Sequence, residues 1–517
     1  MTTSETSTPF ALPISTAEKD RLVAENRALR DRDLLNARLM FESMPRVVDL
    51  QLSNVCNMSC TMCYDGHNPP RQELPEALVE TVAAKLLPTA SILTPFAGSE
   101  PLIVTWDLTR RLAERYGVEL DIITNGQFLD EKKFAELEPH VSSLTISIDS
   151  HLPDVYEQIR LRAKTARVFE NLPRAARLCR EHGIEPEINV VVMVENAPFL
   201  DQTVAYFADQ GFRTIRLLEF HMAPNLSRDR VFSDPLRYMS AEWLEWMFDK
   251  ARRVAEQKQV RLMFEGHKPE TLDYRPDTSG YREGRKRQHS IWDELKWFYP
   301  GYCPQVAERI KVHADGRAYP CCVAEGDDLC LGNLNQQSVD EVWNGPEAQD
   351  LRRAMLTHDL PGKCRDCEFH VAWFPDAVDH LPFVDWYHQE HCAGALPAVP
   401  RERRTLEVTA PAHLERAEGP PTFRWRVPAE KVDAFELVLG VGGIFAAGNR
   451  VFRIPGDATE FRIPDADWEQ LAPHVAHWWV LYARRDPDPE ATLRSPLAQC
   501  LVRQVHLPRV AGSTLYR

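Results

Sequence analysis

Three cysteines stand close together in Ser53-Asn54-Val55-Cys56-Asn57-Met58-Ser59-Cys60-Thr61-Met62-Cys63-Tyr64, at a Cys-x3-Cys-x2-Cys spacing. Three soft thiolates within eight residues can hold three corners of a cubic iron-sulfur cluster and leave one iron open to chemistry. The plainer readings are reduced, buried thiols or half of a zinc site. A zinc finger wants a second cysteine pair about 12 to 20 residues on, and none follows. A second group comprises Cys303, Cys321, Cys364 and Cys367. Asp315-Gly316 between apolar runs is a hairpin signal that would carry Cys321 back towards Cys303, and Cys364-x2-Cys367 supplies a pair on a tight turn. Four such thiolates suit a closed zinc site or a fully ligated 4Fe-4S cluster, and spacing leaves both open. Cys322 and Cys330 are left over near this group: either thiols that take part in chemistry there or inert buried thiols.

The elements that must position these residues begin at the apolar run Val47 to Leu52, which reads as a strand leading into the cysteine loop. Further strands are expected at Ser91 to Phe96, Glu119 to Thr124, Ser142 to Ile148, Glu187 to Val194 and Thr214 to Glu219. Helical stretches separate them: Leu74 to Leu87, Leu102 to Tyr116, Glu131 to Leu137, Ala166 to His182 and Pro198 to Gln210. Six βα repeats predict an α/β fold, a parallel sheet with helices outside, doubly wound or a partial barrel, with reactive residues at the carboxyl ends of strands. The strand ends fit that rule. The cysteine loop follows the first strand, Gly98-Ser99-Glu100-Pro101 the second, Thr124-Asn125-Gly126 the third and Ser147-Ile148-Asp149-Ser150 the fourth, while Asn189 lies in the fifth and Glu219 closes the sixth. Singly, each has an ordinary explanation as a turn or a helix cap. Together they define one polar rim.

Residues about 47 to 220 resemble the core of the radical S-adenosylmethionine (SAM) enzymes, a partial (βα)6 barrel. In that family the open iron binds the amino and carboxylate groups of SAM, and Gly98-Ser99-Glu100-Pro101 stands where a Gly-Gly-Glu-Pro segment is usual, with Ser99 in place of the second glycine. The resemblance implies that Cys56, Cys60 and Cys63 hold a SAM-binding 4Fe-4S cluster and that the backbone around Gly98, Ser99 and Glu100 meets the SAM amino group. It sets Ser147 and Asp149 beside the ribose or methionine part, with Asn125 and Asn189 also among the cofactor-binding residues. Arg160 is the expected partner of the SAM carboxylate, and Met62, in place of an aromatic residue, a candidate to pack on adenine. Residues about 303 to 370 resemble the SPASM extension in its shortened, twitch form, which implies a second, auxiliary 4Fe-4S cluster on Cys303, Cys321, Cys364 and Cys367. Only Cys392 follows before Cys500, so a third cluster is not expected.

With 517 residues the chain divides into several domains, expected as an N-terminal helical segment (1–46), the radical SAM core (47–225), a connector that also completes the core (226–300), the cluster extension and linker (301–400) and a C-terminal all-β domain (401–517). Ser15-Thr16-Ala17-Glu18 is a capping box opening the first helix, which is expected to end near Phe41. The last domain rests on short apolar runs at Thr405 to Thr409, Thr422 to Val427, Phe435 to Val441, Arg450 to Ile454, Thr459 to Ile463, Trp478 to Ala483 and Gln499 to His506, which suggest a β-sandwich of fibronectin III or Ig type. A net charge of -15 argues against a nucleic-acid partner. No signal peptide or apolar span of membrane length is visible, and twelve cysteines without one suit a reducing cytoplasm. The resemblance implies an electron donor such as flavodoxin or ferredoxin and a small-molecule or peptide substrate. The expected outcome is oxidation or epimerisation of a sugar-like or other small molecule, with peptide modification as the alternative. A non-catalytic metal-binding scaffold is the competitor from another class.

Overall fold

The structure is a computed structural model that describes residues 13–63, 70–95, 98–218, 220, 239–265, 302–322, 324–327, 329–357, 359–365, 367, 406–412, 415–429, 431–440, 449–471, 473–474, 476–484, 493–494, 499–503 and 505–515. Glu219, Cys392, the passage 369–400 and most of the connector 228–293 lie outside them. The chain divides into two compact units, residues 1–26, 44–288 and 308–343 forming the first and residues 27–43, 289–307 and 344–517 the second.

The first unit is built on strands β1 (Val47–Leu50), β2 (Ser59–Cys60), β3 (Ile92–Thr94), β4 (Glu119–Thr124), β5 (Val141–Ser147), β6 (Arg160–Leu161), β7 (Pro186–Val191), β8 (Thr214–Leu218), β9 (Arg261–Glu265), β10 (Arg309–Val312), β11 (Arg317–Tyr319) and β12 (Gly332–Asn333). Ten of them make one sheet in the order β12-β11-β10-β1-β3-β4-β5-β7-β8-β9, parallel from β10 to β9, while β2 and β6 pair separately. The sheet has one apolar and one polar face. In register, Val48 meets Ile310 and Leu93, all completely buried, while the next residue along, Asp49, meets Lys311 and Thr94. A parallel sheet covered on both faces usually reads as unbroken apolar runs, so this alternation assigns the helices to one face and leaves the other to polar groups.

The helices among the described residues include α1 (Thr16–Leu35), α2 (Glu76–Leu86), α3 (Trp106–Tyr116), α4 (Glu131–Leu137), α5 (Pro153–Ile159), α6 (Thr165–Glu181), α7 (Leu200–Asp209) and α8 (Ala241–Lys258). At α1 the expected cap is present: Glu18 N donates to Ser15 Oγ at 3.3 Å. In α3, Trp106, Thr109, Leu112, Ala113 and Tyr116 recur at helical spacing and are buried, and the helix ends where Gly117 turns left-handed at φ 58°. Part of the connector forms α8 and β9, which extend the sheet at one edge, in line with a segment expected to complete the core. One feature of the sheet was not expected: the extension's strands β10 to β12 join it through β1.

In the second unit, residues 27–43 pack on the helix Pro346–Thr357: Asn344 exchanges hydrogen bonds with the backbone of Phe41, and Arg352 lies 3.9 Å over the Phe41 ring. Further on, β13 (Val408–Ala410), β15 (Thr422–Trp425) and β18 (Glu460–Arg462) form one sheet. A larger sheet holds β14 (Glu415–Ala417), β16 (Ala434–Gly440), β17 (Asn449–Pro455), β19 (Ala476–Arg484), β20 (Leu493–Arg494) and β21 (Gln499–Arg503). Phe423 and Trp425 from the first sheet share one core with Phe435, Leu437, Trp479 and Leu481 from the second. A short helix, Asp465–Trp468, adds Trp468 to that core.

Candidate active site

The cysteine loop leaves the carboxyl end of β1 and is held by pairing with a segment 100 residues further along the chain. Within it, β2 runs antiparallel to β6, so that Cys60 faces Arg160 across the ladder, and Thr61 N donates to the Ile159 carbonyl at 2.8 Å. Cys56 Sγ accepts from Met58 N at 3.5 Å. Burial pushes the Cys56 thiol up to about 11 and raises Cys60 as well, the latter against the pull of Arg160. Metal binding must therefore displace protons here.

Two carboxylates organise the rim. Glu100 is buried, and its carboxylate accepts from Thr124 Oγ1 and Asn125 N, both at 2.8 Å, and from Leu102 N at 3.2 Å. Its own N–H donates to the Val55 carbonyl at 3.2 Å, tying the Gly98-Ser99-Glu100 turn to the start of the cysteine loop. Gly98 takes φ 81°, a backbone state that glycine adopts without penalty. Burial pushes the Glu100 carboxyl up to about 7 despite those donors. Asn125 Nδ2 donates to Asn57 Oδ1 at 2.9 Å, which joins the β4 end to the same loop.

Asp149 is completely buried and accepts from Arg160 Nε at 2.6 Å, Arg160 Nη2 at 3.3 Å and Val191 N at 2.9 Å. The remaining Arg160 nitrogen, Nη1, lies 3.9 Å from Cys60 Sγ. Burial works against the Arg160 charge, but Asp149 and Cys60 outweigh it and keep the guanidinium firmly protonated. Asn196 closes the arrangement, donating from Nδ2 to the Asp149 and Val191 carbonyls, both at 2.8 Å.

The structure thus places two hydrogen-bonded networks at the carboxyl ends of the strands, Glu100 with Asn125 and Asn57, and Asp149 with Arg160 and Cys60, both tied to the loop that also carries Cys56. Ser99 is buried on the same turn, and Ser147 and Asn189 sit in register on β5 and β7. Met62 packs on a small apolar cluster of Ile159, Met193 and Phe220 beside the cysteine loop. Residues that sequence reasoning passed over are Asn57 and Asn196, each an anchor rather than a reactive group, while Thr124, already placed on the rim, proves to be an anchor of Glu100; the polar Asn57 inside the cysteine loop was the available signal.

Cys321 and the exposed Cys322 follow β11 in the first unit, and Lys311 Nζ donates to the Cys322 carbonyl at 3.0 Å. The Cys330 thiol donates to the Gly332 carbonyl at 3.5 Å. In the second unit, Cys303 precedes the short helix Gln305–Glu308, Cys364 lies in the helix Gly362–Arg365, and Cys367 N donates to the Cys364 carbonyl at 3.4 Å.

Comparison with known proteins decides what this arrangement belongs to. Residues 50–197 match the radical SAM superfamily, and residues 303–368 match SPASM, an iron-sulfur cluster-binding domain. This is a radical SAM enzyme with a SPASM-type domain. The chain is 26% identical to a GTP 3',8-cyclase of Aquifex aeolicus over 60% of this chain and 93% of that protein. It is 22% identical to a cysteine-type anaerobic sulfatase-maturating enzyme of Clostridium novyi over 62% of this chain and 84% of that protein. Among solved structures, Streptococcus suis SuiB bound to S-adenosylmethionine is similar at 15% identity and TM-score 0.46, covering 67% of this chain and 74% of SuiB.

A radical SAM domain with a SPASM domain implies a SAM-binding 4Fe-4S cluster, an auxiliary cluster and SAM itself. The residues present fit such a cofactor. Among the described residues no three metal-ligating side chains converge on one ion, and a cubic cluster does not ask for that, since each thiolate takes a different iron. Asn57 Nδ2, Thr61 Oγ1 and Asn189 Oδ1 are buried at the rim without a hydrogen-bond partner, as expected where a polar ligand completes the site. No described helix is long and apolar enough to cross a membrane.

Proposed function

We propose that Cys56, Cys60 and Cys63 ligate the SAM-binding cluster and that the rim from Gly98 to Asn189 holds SAM. When bound, the cluster supplies the electron that splits SAM into methionine and a 5'-deoxyadenosyl radical, which takes a hydrogen atom from a substrate C–H bond. The single observation that carries this reading is the joining of the cysteine loop to the strand ends, through Arg160 to Asp149 and through Val55 to Glu100. Glu100, with Gly98 and Ser99, orients the SAM amino group. Arg160 keeps one N–H on each terminal nitrogen beyond its bonds to Asp149 and Cys60, a fork suited to the SAM carboxylate. Ser147, Asn125 and Asn189 offer polar groups to the ribose, and Met62 an apolar face to adenine. Cys303, Cys321, Cys364 and Cys367 ligate the auxiliary cluster in a shortened extension.

The substrate is a small molecule or a peptide, and the reaction an oxidation in which the auxiliary cluster assists. The curated relatives act on both kinds of substrate, by their names a nucleotide in one case and a sulfatase in another. Cys322 and Cys330 are the candidate donors should the outcome be epimerisation; burial raises both thiols, and that of Cys330 is engaged with the Gly332 carbonyl. The all-β portion is a sandwich-like appendage, the protein works in the cytoplasm, and a flavodoxin or ferredoxin delivers the electron. Anaerobic reconstitution with iron and sulfide tests the reading: about eight irons per chain, from two 4Fe-4S clusters, and 5'-deoxyadenosine on reduction with SAM are expected. Tightly held zinc and no SAM cleavage would instead mark a non-catalytic scaffold.

A further inference from the structure

Arg160 is committed in a way that binding SAM does not require. It is buried, its Nε and one N–H of Nη2 donate to the completely buried Asp149, and its Nη1 lies 3.9 Å from Cys60 Sγ. The backbone enforces this: Cys60 and Arg160 are ladder partners, and Thr61 N is fixed on the Ile159 carbonyl. Asp149 is itself fixed, because Val191 N and Asn196 Nδ2 both bond to it. The ion pair is therefore a rigid dipole whose cationic end faces the sulfur of Cys60.

Reduction potentials of iron-sulfur clusters respond to hydrogen bonds on the ligand sulfurs, to local charge and to burial. An N–H directed at a thiolate draws electron density from it, and a buried cation favours the state with the extra electron. We propose that Arg160 is a positioning residue of the SAM-binding cluster that raises its reduction potential through Cys60. Asp149 moderates the effect by partly neutralising the guanidinium. The inference rests on the assignment of Cys56, Cys60 and Cys63 as the cluster's ligands.

The test is a redox titration of full-length, anaerobically reconstituted protein, following the reduced-cluster EPR signal that changes when SAM is added; that response separates this cluster from the auxiliary one. Arg160→Gln should keep its iron and move the midpoint to more negative potential, with Arg160→Lys in between. Asp149→Asn, which leaves the guanidinium uncompensated, should move it to more positive potential. Opposite shifts from the two partners are a signature that a purely structural role would not produce. Unchanged midpoints in iron-replete Arg160→Gln and Asp149→Asn proteins overturn the proposal. If Arg160→Gln fails to hold iron, Asp149→Asn decides: a positive shift supports the proposal and none overturns it. A wild-type protein without a SAM-responsive signal would sink the cluster assignment itself, a result visible before any variant is made.

Discussion

Arg309 Nη1 donates to both carboxylate oxygens of Asp49, at 2.7 Å each, across a sequence separation of 260 residues. The pair stands on neighbouring parallel strands, β1 and β10, with Asp49 almost completely buried. It ties the strand that launches the cysteine loop to the strand that opens the SPASM-type domain.

Removing one partner should therefore cost more than an ordinary surface ion pair. Asp49→Ala is expected to destabilise the protein by about 3 kcal/mol, because it leaves a largely buried guanidinium uncompensated. The double variant Asp49→Leu with Arg309→Met should recover most of that loss. Urea unfolding of the three proteins measures both; equal losses in the single and double variants would show that charge compensation is not what matters at this position.

Replacing Cys56, Cys60 and Cys63 together by Ala should abolish 5'-deoxyadenosine formation and lower the reconstituted iron from about eight to about four per chain. Iron and sulfide analysis, together with chromatography of the reduced reaction mixture, reads both. Persistent SAM cleavage would mean that the open iron lies elsewhere.

Glu100 makes a pH-dependent prediction. Its ordinary value of 4.5 is pushed up to about 7 by burial, so the fold favours the neutral form. Between about pH 4.5 and pH 7 the unfolded chain gives up this proton while the folded one keeps it. Stability without SAM should therefore fall as pH rises through that window, by up to about 3 kcal/mol. Glu100→Gln should remove the slope. SAM affinity should show the opposite trend, rising with pH through about 7 as Glu100 becomes the anion that suits an ammonium group, and Glu100→Gln should weaken it about tenfold. Denaturant melts and equilibrium dialysis from pH 5 to pH 8 check the two halves, and pH-independent SAM binding would count against Glu100 as the amino-group partner.

Trp479 is completely buried in the second unit, its ring 5.0 Å from that of Phe423 in a nearly perpendicular arrangement. Trp479→Ala should cost about 3–5 kcal/mol through lost burial and a large cavity. Denaturant unfolding followed by fluorescence would measure it, and a loss below about 1 kcal/mol would mean that the two sheets do not depend on this contact.

Strands β4 and β8 and helices α4 and α6 were legible from local periodicity, within a residue or two of their observed ends, because each carries its apolar pattern inside a short window. The cysteine motif and the Gly98-Ser99-Glu100 turn were legible because metal chemistry demands particular residue types at close spacing. Strands β9 to β12 were not assigned to the sheet. They are short, and what places them is pairing with partners far away in sequence: β10 has no reason within its own four residues to lie beside β1.

By itself, then, the amino-acid sequence determined the chemistry the protein can hold: two groups of thiols, a polar rim at the strand ends and the order of the βα units. The tertiary structure decided how those groups act on one another. It turned Arg160 from a free candidate for the SAM carboxylate into a residue that also faces Cys60, made Glu100 a buried carboxyl held by the β4 end with its backbone tied to the cysteine loop, and set Asp49 against Arg309. The physical reason is that a residue's type and spacing are local properties, whereas its charge state, its partners and its reach are set by whichever distant strand folds against it.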